Sequence, residues 1–261
     1  MILPPATVTK FNDLKLHVIA SVIEKFSLDY GIDINQHLDF FDALLDAQIA
    51  HNQSSAHKRE RKSSGMRWPD ATFAASERLC SQIKQTVLVY IKSCDWIATG
   101  KHIMLSGRSS AGKTHLACAI GNQAILHGYR VRFYRFRDLL MMLRAADNDG
   151  ELTALIKKLL RIHLIIIDDW TVDKLSRQEQ AVLFELVEKR EKRGSFVITT
   201  QFDAKLLHEA VGGDTIADAI LSRIVTLAYP IVLDHDIDFR QTDMTIPARK
   251  SSKKTGGQYN G

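Results

Sequence analysis

The chain has 261 residues, 45% of them hydrophobic and 25% charged, with a formal net charge of +5. That is enough for one substantial globular domain plus a smaller appendage. No run of about eighteen apolar residues occurs, and the opening Met1-Ile2-Leu3-Pro4-Pro5 lacks the basic, apolar and cleavage regions of a signal peptide, so a cytoplasmic protein off the membrane is expected. Cys80, Cys94 and Cys118 are odd in number and without Cys-x-x-Cys spacing, which points to buried reduced thiols and away from a disulfide framework or zinc site.

Residues 10 to 62 predict helices, because Leu14, Leu16, Val18, Ile19, Val22 and Ile23 recur at helical spacing. A second such pattern, through Leu38, Phe40, Phe41, Leu44, Leu45 and Ile49, is separated from the first by Gly31. It runs into a basic cluster, Lys58, Arg59, Arg61 and Lys62, with Arg67 just beyond. Alone, such a cluster is more commonly a solvated helix face than a nucleic-acid contact. Ser63-Ser64-Gly65 ends the pattern, and Trp68-Pro69 disfavours its resumption. A small helical amino-terminal domain is therefore expected over residues 1–70, serving assembly or DNA or partner binding, and a larger domain over 71–240. The remainder, 241–261, is a basic tail with Lys253 and Lys254 and the composition of a disordered segment.

From residue 71 short apolar runs alternate with amphipathic helices, the signature of a parallel sheet covered on both faces. Strands are predicted at His102 to Ser106, Arg130 to Phe136, His163 to Asp168, Ser195 to Thr200 and Thr226 to Leu233. Helices are predicted at 113–127, 137–146, 151–160, 176–192, 203–210 and 215–223. Gly128, Gly150, Gly194 and Gly212-Gly213 fall where helices should stop and read as left-handed caps.

Gly107-Arg108-Ser109-Ser110-Ala111-Gly112-Lys113-Thr114 fits G-x-x-x-x-G-K-[ST], entered by the apolar strand Ile103-Met104-Leu105 and left by an amphipathic helix. Gly107 and Gly112 let the backbone approach a ligand, so that N–H groups from Gly107, Ser109, Ser110, Ala111, Gly112, Lys113, Thr114 and His115 can surround phosphates. Lys113 supplies positive charge to the β- and γ-phosphates of ATP, and the Thr114 hydroxyl is a ligand for Mg2+. The apolar strand Leu164-Ile165-Ile166-Ile167 ends in Asp168-Asp169. Core packing requires no acids there. Asp168 suits magnesium, and Asp169 suits polarising the attacking water.

These segments resemble the IstB-like AAA+ ATPases, helper proteins encoded beside certain insertion-sequence transposases, and more distantly the DnaC-type helicase loaders. The likeness rests on Gly112-Lys113-Thr114-His115-Leu116-Ala117, Ile166-Ile167-Asp168-Asp169-Trp170, Leu183-Phe184-Glu185-Leu186, Val197-Ile198-Thr199-Thr200-Gln201 and Ile216-Ala217-Asp218-Ala219-Ile220-Leu221-Ser222-Arg223. It is clear over residues 75 to 235. The resemblance implies a P-loop α/β fold with a five-stranded parallel sheet flanked by helices and no C-terminal lid domain. It also implies a γ-phosphate sensor at Thr200 or Gln201 and an arginine finger at Arg223 reaching the ATP of a neighbouring subunit. Two departures stand out. Arg108, Ser109 and Ser110 replace Pro, Pro and Gly of the usual loop, and Asp169 replaces a Glu common in AAA+ proteins, which is expected to slow hydrolysis.

The resemblance further implies an ATP-dependent, oligomerising helper for transposition, with ATP at subunit interfaces, assembling on duplex DNA and recruiting or activating a cognate transposase. No zinc-finger spacing, RNA-recognition motif or clear helix-turn-helix is present, so the expected DNA contact is non-sequence-specific, through Lys58, Arg59, Arg61, Lys62, Arg67, Lys253 and Lys254. A DnaC-like replicative helicase loader shares the same core. A small-molecule P-loop kinase would need a lid with arginines acting in cis, and a nucleotide-binding structural protein would need only the loop.

Overall fold

A computed structural model describes residues 3–233 apart from 32, 34–36, 171–173 and 203. The tail over 241–261, with Lys253 and Lys254, lies outside the described residues. Three helices open the chain: α1 (Pro5–Asp13), α2 (His17–Tyr30) and α3 (Leu38–Ser63). Gly31 caps α2 in left-handed backbone at φ 63° and donates to Ser27 O, which only glycine does without strain. Leu3, Phe11 and Leu45 form a small core among the three, and Thr7 fixes α1 to α3 by donating to Asp42 at 3.1 Å.

Three short helices follow, α4 (Glu77–Cys80), α5 (Gln85–Ser93) and α6 (Asp95–Ala98), each too brief to announce itself by periodicity. The sheet comprises β1 (His102–Gly107), β2 (Val131–Arg135), β3 (Leu164–Trp170), β4 (Ser195–Thr200) and β5 (Ala228–Leu233). Between the strands lie α7 (Lys113–Leu126), α8 (Phe136–Asn148), α9 (Leu152–Leu159), α10 (Arg177–Arg190), α11 (Ala204–Val211) and α12 (Thr215–Val225). All pairings are parallel, in the order β2-β3-β4-β1-β5. Each of these elements lies where the alternation of apolar runs and helical periods predicts it.

Both faces of the sheet are buried, which is why Leu164, Ile165, Ile166 and Ile167 are apolar without alternation. Ile166 and Leu164 pack towards α7, whereas Ile165 and Ile167 pack towards α8, α10 and α12. The three cysteines are buried and free, as their spacing predicts. Among the described residues no lid domain follows β5.

The last turns of α3 leave the small core and dock on the outer edge of β2. The Glu60 carboxylate accepts from Val131 N at 2.9 Å and pairs with Arg132 at 2.6 Å, and Ser64 O accepts from Phe133 N at 2.8 Å. Edge N–H groups that would otherwise stay unpaired are thereby satisfied. Met66 and Ala71, on either side of the boundary expected near residue 70, both lie in the larger core.

Gly194 corrects one expectation. It has no left-handed backbone; Lys192 takes that conformation instead, at φ 60°. Glycine is needed at 194 for space, since a Cβ would lie 2.8 Å from Cζ of the buried Arg190. Among the described residues that guanidinium has no carboxylate partner. It donates to the carbonyls of Leu159 (2.7 Å), Ile162 (3.0 Å) and Ser195 (3.2 Å), joining α9 to the start of β4.

Candidate nucleotide site

The C-terminal ends of β1 and β3 carry the candidate site. β1 ends at Gly107, where φ is 146° and any Cβ would run into Leu233 O of β5. The loop closes at Gly112, the N-cap of α7, with φ 82° and Leu79 Cδ1 2.8 Å from where a Cβ would stand. Gly107 is therefore required by backbone and by space, and Gly112 by its left-handed backbone. Lys113 Nζ turns back into the loop and donates to Gly107 O at 2.7 Å and Arg108 O at 2.6 Å. Burial pushes its pKa below the ordinary lysine value, and the nearby charges of Asp169 and Asp168 oppose that shift.

Ser110 is left-handed as well, at φ 65°, although it is not glycine. A side chain in this region costs about 1 kcal/mol. Ser110→Gly is expected to raise the thermal unfolding midpoint by a few degrees, the shift that follows from relieving about 1 kcal/mol. Differential scanning calorimetry checks this, and an unchanged or lower midpoint means the strain at Ser110 does not exceed the unfolded-state entropy that glycine adds.

Asp168 is buried, and its Oδ1 accepts from two hydroxyls, Thr114 Oγ1 at 2.8 Å and Thr199 Oγ1 at 2.7 Å. A serine-type hydroxyl against a carboxylate at the start of a helix is a pair of hard oxygen donors of the kind magnesium takes, so the residues fit that ion. Asp169 follows in left-handed backbone, φ 58°, at an irregularity between Ile167 and Trp170 in the β3–β4 pairing. Its N–H donates to Thr199 Oγ1 at 2.9 Å while its side chain is exposed. The extra residue turns Asp169 away from the core, a familiar use of a bulge beside a site.

The expected sensor positions are placed differently from Thr199. Thr200 is fully buried and its hydroxyl donates to Trp170 O at 3.1 Å; Gln201 is exposed just past the strand end. Thr199 is the residue that sequence reading missed. Successive strand residues face opposite sides, so only one of the two threonines can meet Asp168, and continuing the pairing of Ile167 with Ile198 by one residue makes it Thr199. His115 turns its ring to Ser76 Oγ, 2.9 Å from Nδ1, rather than into the loop.

Arg223 stands apart from this group. It lies near the end of α12, just before β5, whose first residue Ala228 pairs with His102 at the start of β1. Gly107 is at the other end of that strand, about 17 Å away at the usual rise. The Arg223 guanidinium donates to Ala219 O at 2.8 Å, lies 3.3 Å from Glu191 Oε2 and covers the Phe184 ring at 5.3 Å. Of the basic cluster, Lys58, Arg59, Lys62 and Arg67 are exposed, and Arg61 faces Asp70 at 3.6 Å.

A phosphate loop between β1 and α7, with a buried aspartate on β3 meeting the loop's threonine, defines a P-loop ATPase. The chain belongs to the family described as IstB-like ATP binding protein, which it matches over residues 9–242. Among its relatives, the insertion-sequence ATP-binding protein y4pL of Sinorhizobium fredii is 29% identical over 87% of this chain and 93% of its own length. The IS1162 ATP-binding protein of Pseudomonas fluorescens is 27% identical over 75% of this chain and 85% of its own. The solved DnaC helicase loader is a distant likeness, 20% identical with a TM-score of 0.48 over 57% of this chain and 88% of its own. Among the described residues no helix is long and apolar enough to cross a membrane.

Proposed function

We propose that the chain is a cytoplasmic, magnesium-dependent helper ATPase for transposition. In this reading ATP bound between subunits stabilises an oligomer on duplex DNA, and the assembly recruits or activates a transposase encoded by the same element. The residues around Lys113 bind the phosphates, Thr114 and Asp168 hold magnesium, Asp169 orients the attacking water, and Arg223 acts on the nucleotide of the next subunit. Thr199 joins them as the group that fixes both aspartates, with Thr200 and Gln201 in supporting positions at the strand end. The amino-terminal helices serve assembly or partner contacts.

One observation carries this reading: Arg223 lies a strand length from its own phosphate loop, so any catalytic use of it must cross a subunit boundary. A small-molecule kinase closes arginines over its own substrate, which this placement disfavours. The insertion-sequence relatives favour a transposase over a replicative helicase as the client.

The test is assembly itself. With ATP, negative-stain images should show multi-subunit particles on duplex DNA, and affinity should fall steeply with salt while varying little among unrelated sequences. A protein that stays monomeric with ATP and DNA sinks the proposal. Within the site, Asp169→Asn should leave ATP affinity within about twofold yet slow hydrolysis by roughly 100-fold, because magnesium stays on Asp168 while the water loses its base. Single-turnover hydrolysis measures this, and a wild-type rate would remove Asp169 from the mechanism.

A further inference from the structure

Where the chain leaves α3 and passes the top of β2, a cavity of about 300 Å³ is lined by Gly65, Arg67, Phe133, Tyr134, Arg135 and Asp138. Its two arginines are exposed. Neighbouring cations are already engaged, Arg61 by Asp70 at 3.6 Å and Arg132 by Glu60 at 2.6 Å, whereas among the described residues neither Arg67 nor Arg135 forms an ion pair or side-chain hydrogen bond. Asp138 is the single carboxylate in the lining, so the cavity keeps a net positive charge. Two like charges in one lining repel each other, and neither arginine is engaged by a partner among the described residues. A phosphate satisfies both by paired hydrogen bonds.

The walls are rigid. Ser64 O holds Phe133 N at 2.8 Å and Met66 is buried in the main core before Arg67, and Asn122 Nδ2 donates to Pro69 O at 2.9 Å after it, so the backbone carrying Arg67 is anchored on both sides. The cationic surface also continues beyond the cavity. Lys58, Arg59 and Lys62 are exposed on the last two turns of α3, a further ~11 Å of helix. A single small anion would use only the arginine pair; a duplex, with one charge per about 1.7 Å of axis, uses the whole run. Arg135 is moreover in register with Asp168 on the adjacent strand, which puts the cavity one strand spacing, about 4.8 Å, from the strand of the candidate magnesium ligand.

We propose that Arg67 and Arg135 form a clamp for the phosphate backbone of duplex DNA, with α3 extending the track. The clamp rests on the DNA-binding reading above and names its surface.

The experiment measures binding of a fluorescent duplex to the full chain with ATP across a salt series, for the wild type, Arg67→Ala/Arg135→Ala and Arg67→Lys/Arg135→Lys. The alanine pair should lower the slope of log K against log salt by about one to two and weaken affinity at 0.1 M salt by about tenfold for each arginine removed. The lysine pair should keep most of the slope, and ATP affinity should be the same in all three. If the wild type binds duplex and the alanine pair matches it in slope and affinity, the clamp is wrong and DNA binding stands. If the wild type binds no DNA, the underlying reading fails with it. A loss of ATP affinity in the alanine pair assigns the arginines to nucleotide instead, and a wild type that prefers single strands overturns the duplex assignment.

Discussion

Lys113→Ala is expected to lose ATP binding by at least about 100-fold, the roughly 3 kcal/mol of charge-assisted hydrogen bonding that its ammonium supplies. The geometry explains why no neighbour replaces it. Lys113 Nζ sits inside the loop on Gly107 O and Arg108 O, and burial works against its charge. Such a group gains most when an anion arrives, because the phosphates restore the solvation that burial removed. Arg108 is the other residue with a formal positive charge in the loop, but it is exposed. The fold should survive, since Leu116, Ala117 and Ile120 anchor α7 independently of the lysine. Titration with a fluorescent ATP analogue, beside a circular dichroism melt, gives the answer. Undiminished affinity in a folded variant would mean that nucleotide binds elsewhere.

The order of elements was legible because each strand of the larger unit is a short apolar run and the helices between them are periodic, with left-handed glycines such as Gly128 and Gly150 following α7 and α8. The structure adds caps at two helix starts: Ser176 with Glu179 forms a capping box at α10, and Asp214 accepts from Ile216 and Ala217 at α12. The phosphate loop was legible for a different reason: Gly107, Gly112, Lys113 and Thr114 are each required by local geometry or chemistry that lies within eight residues. What escaped was long-range. Thr199 meets Asp168 because β3 pairs with β4 in the register that sets Ile167 opposite Ile198, and nothing in either strand alone encodes that register. Gly194 reads as a helix cap from its position, yet its need arises from Arg190, whose guanidinium folds back over the turn. The alignment of Arg67 with Arg135 depends on α3 docking against β2, two segments some seventy residues apart whose contact no periodicity reveals.

Arg223→Ala should keep ATP affinity and lose hydrolysis on the order of a thousandfold, the usual contribution of an arginine finger. In the proposed reading its own nucleotide contacts come from the phosphate loop and Asp168, which the substitution does not touch. Removing the side chain also takes away the ion pair with Glu191 and the cover over Phe184. Arg223→Lys separates that structural part, since it keeps the charge but not the planar fork. The deciding measurement mixes two inactive proteins. Arg223→Ala carries an intact ATP pocket without a finger, and Lys113→Ala carries an intact finger without a pocket. Where the two meet in an oligomer on DNA, some interfaces pair a competent pocket with a competent finger, so turnover should return to a measurable fraction of the wild-type rate. A cis-acting arginine allows no such recovery, because every active pocket would lie in a chain that lacks it. If light scattering confirms that the two variants co-assemble and the mixture still turns over at background, Arg223 is not a finger, and its place between Glu191 and Phe184 is structural.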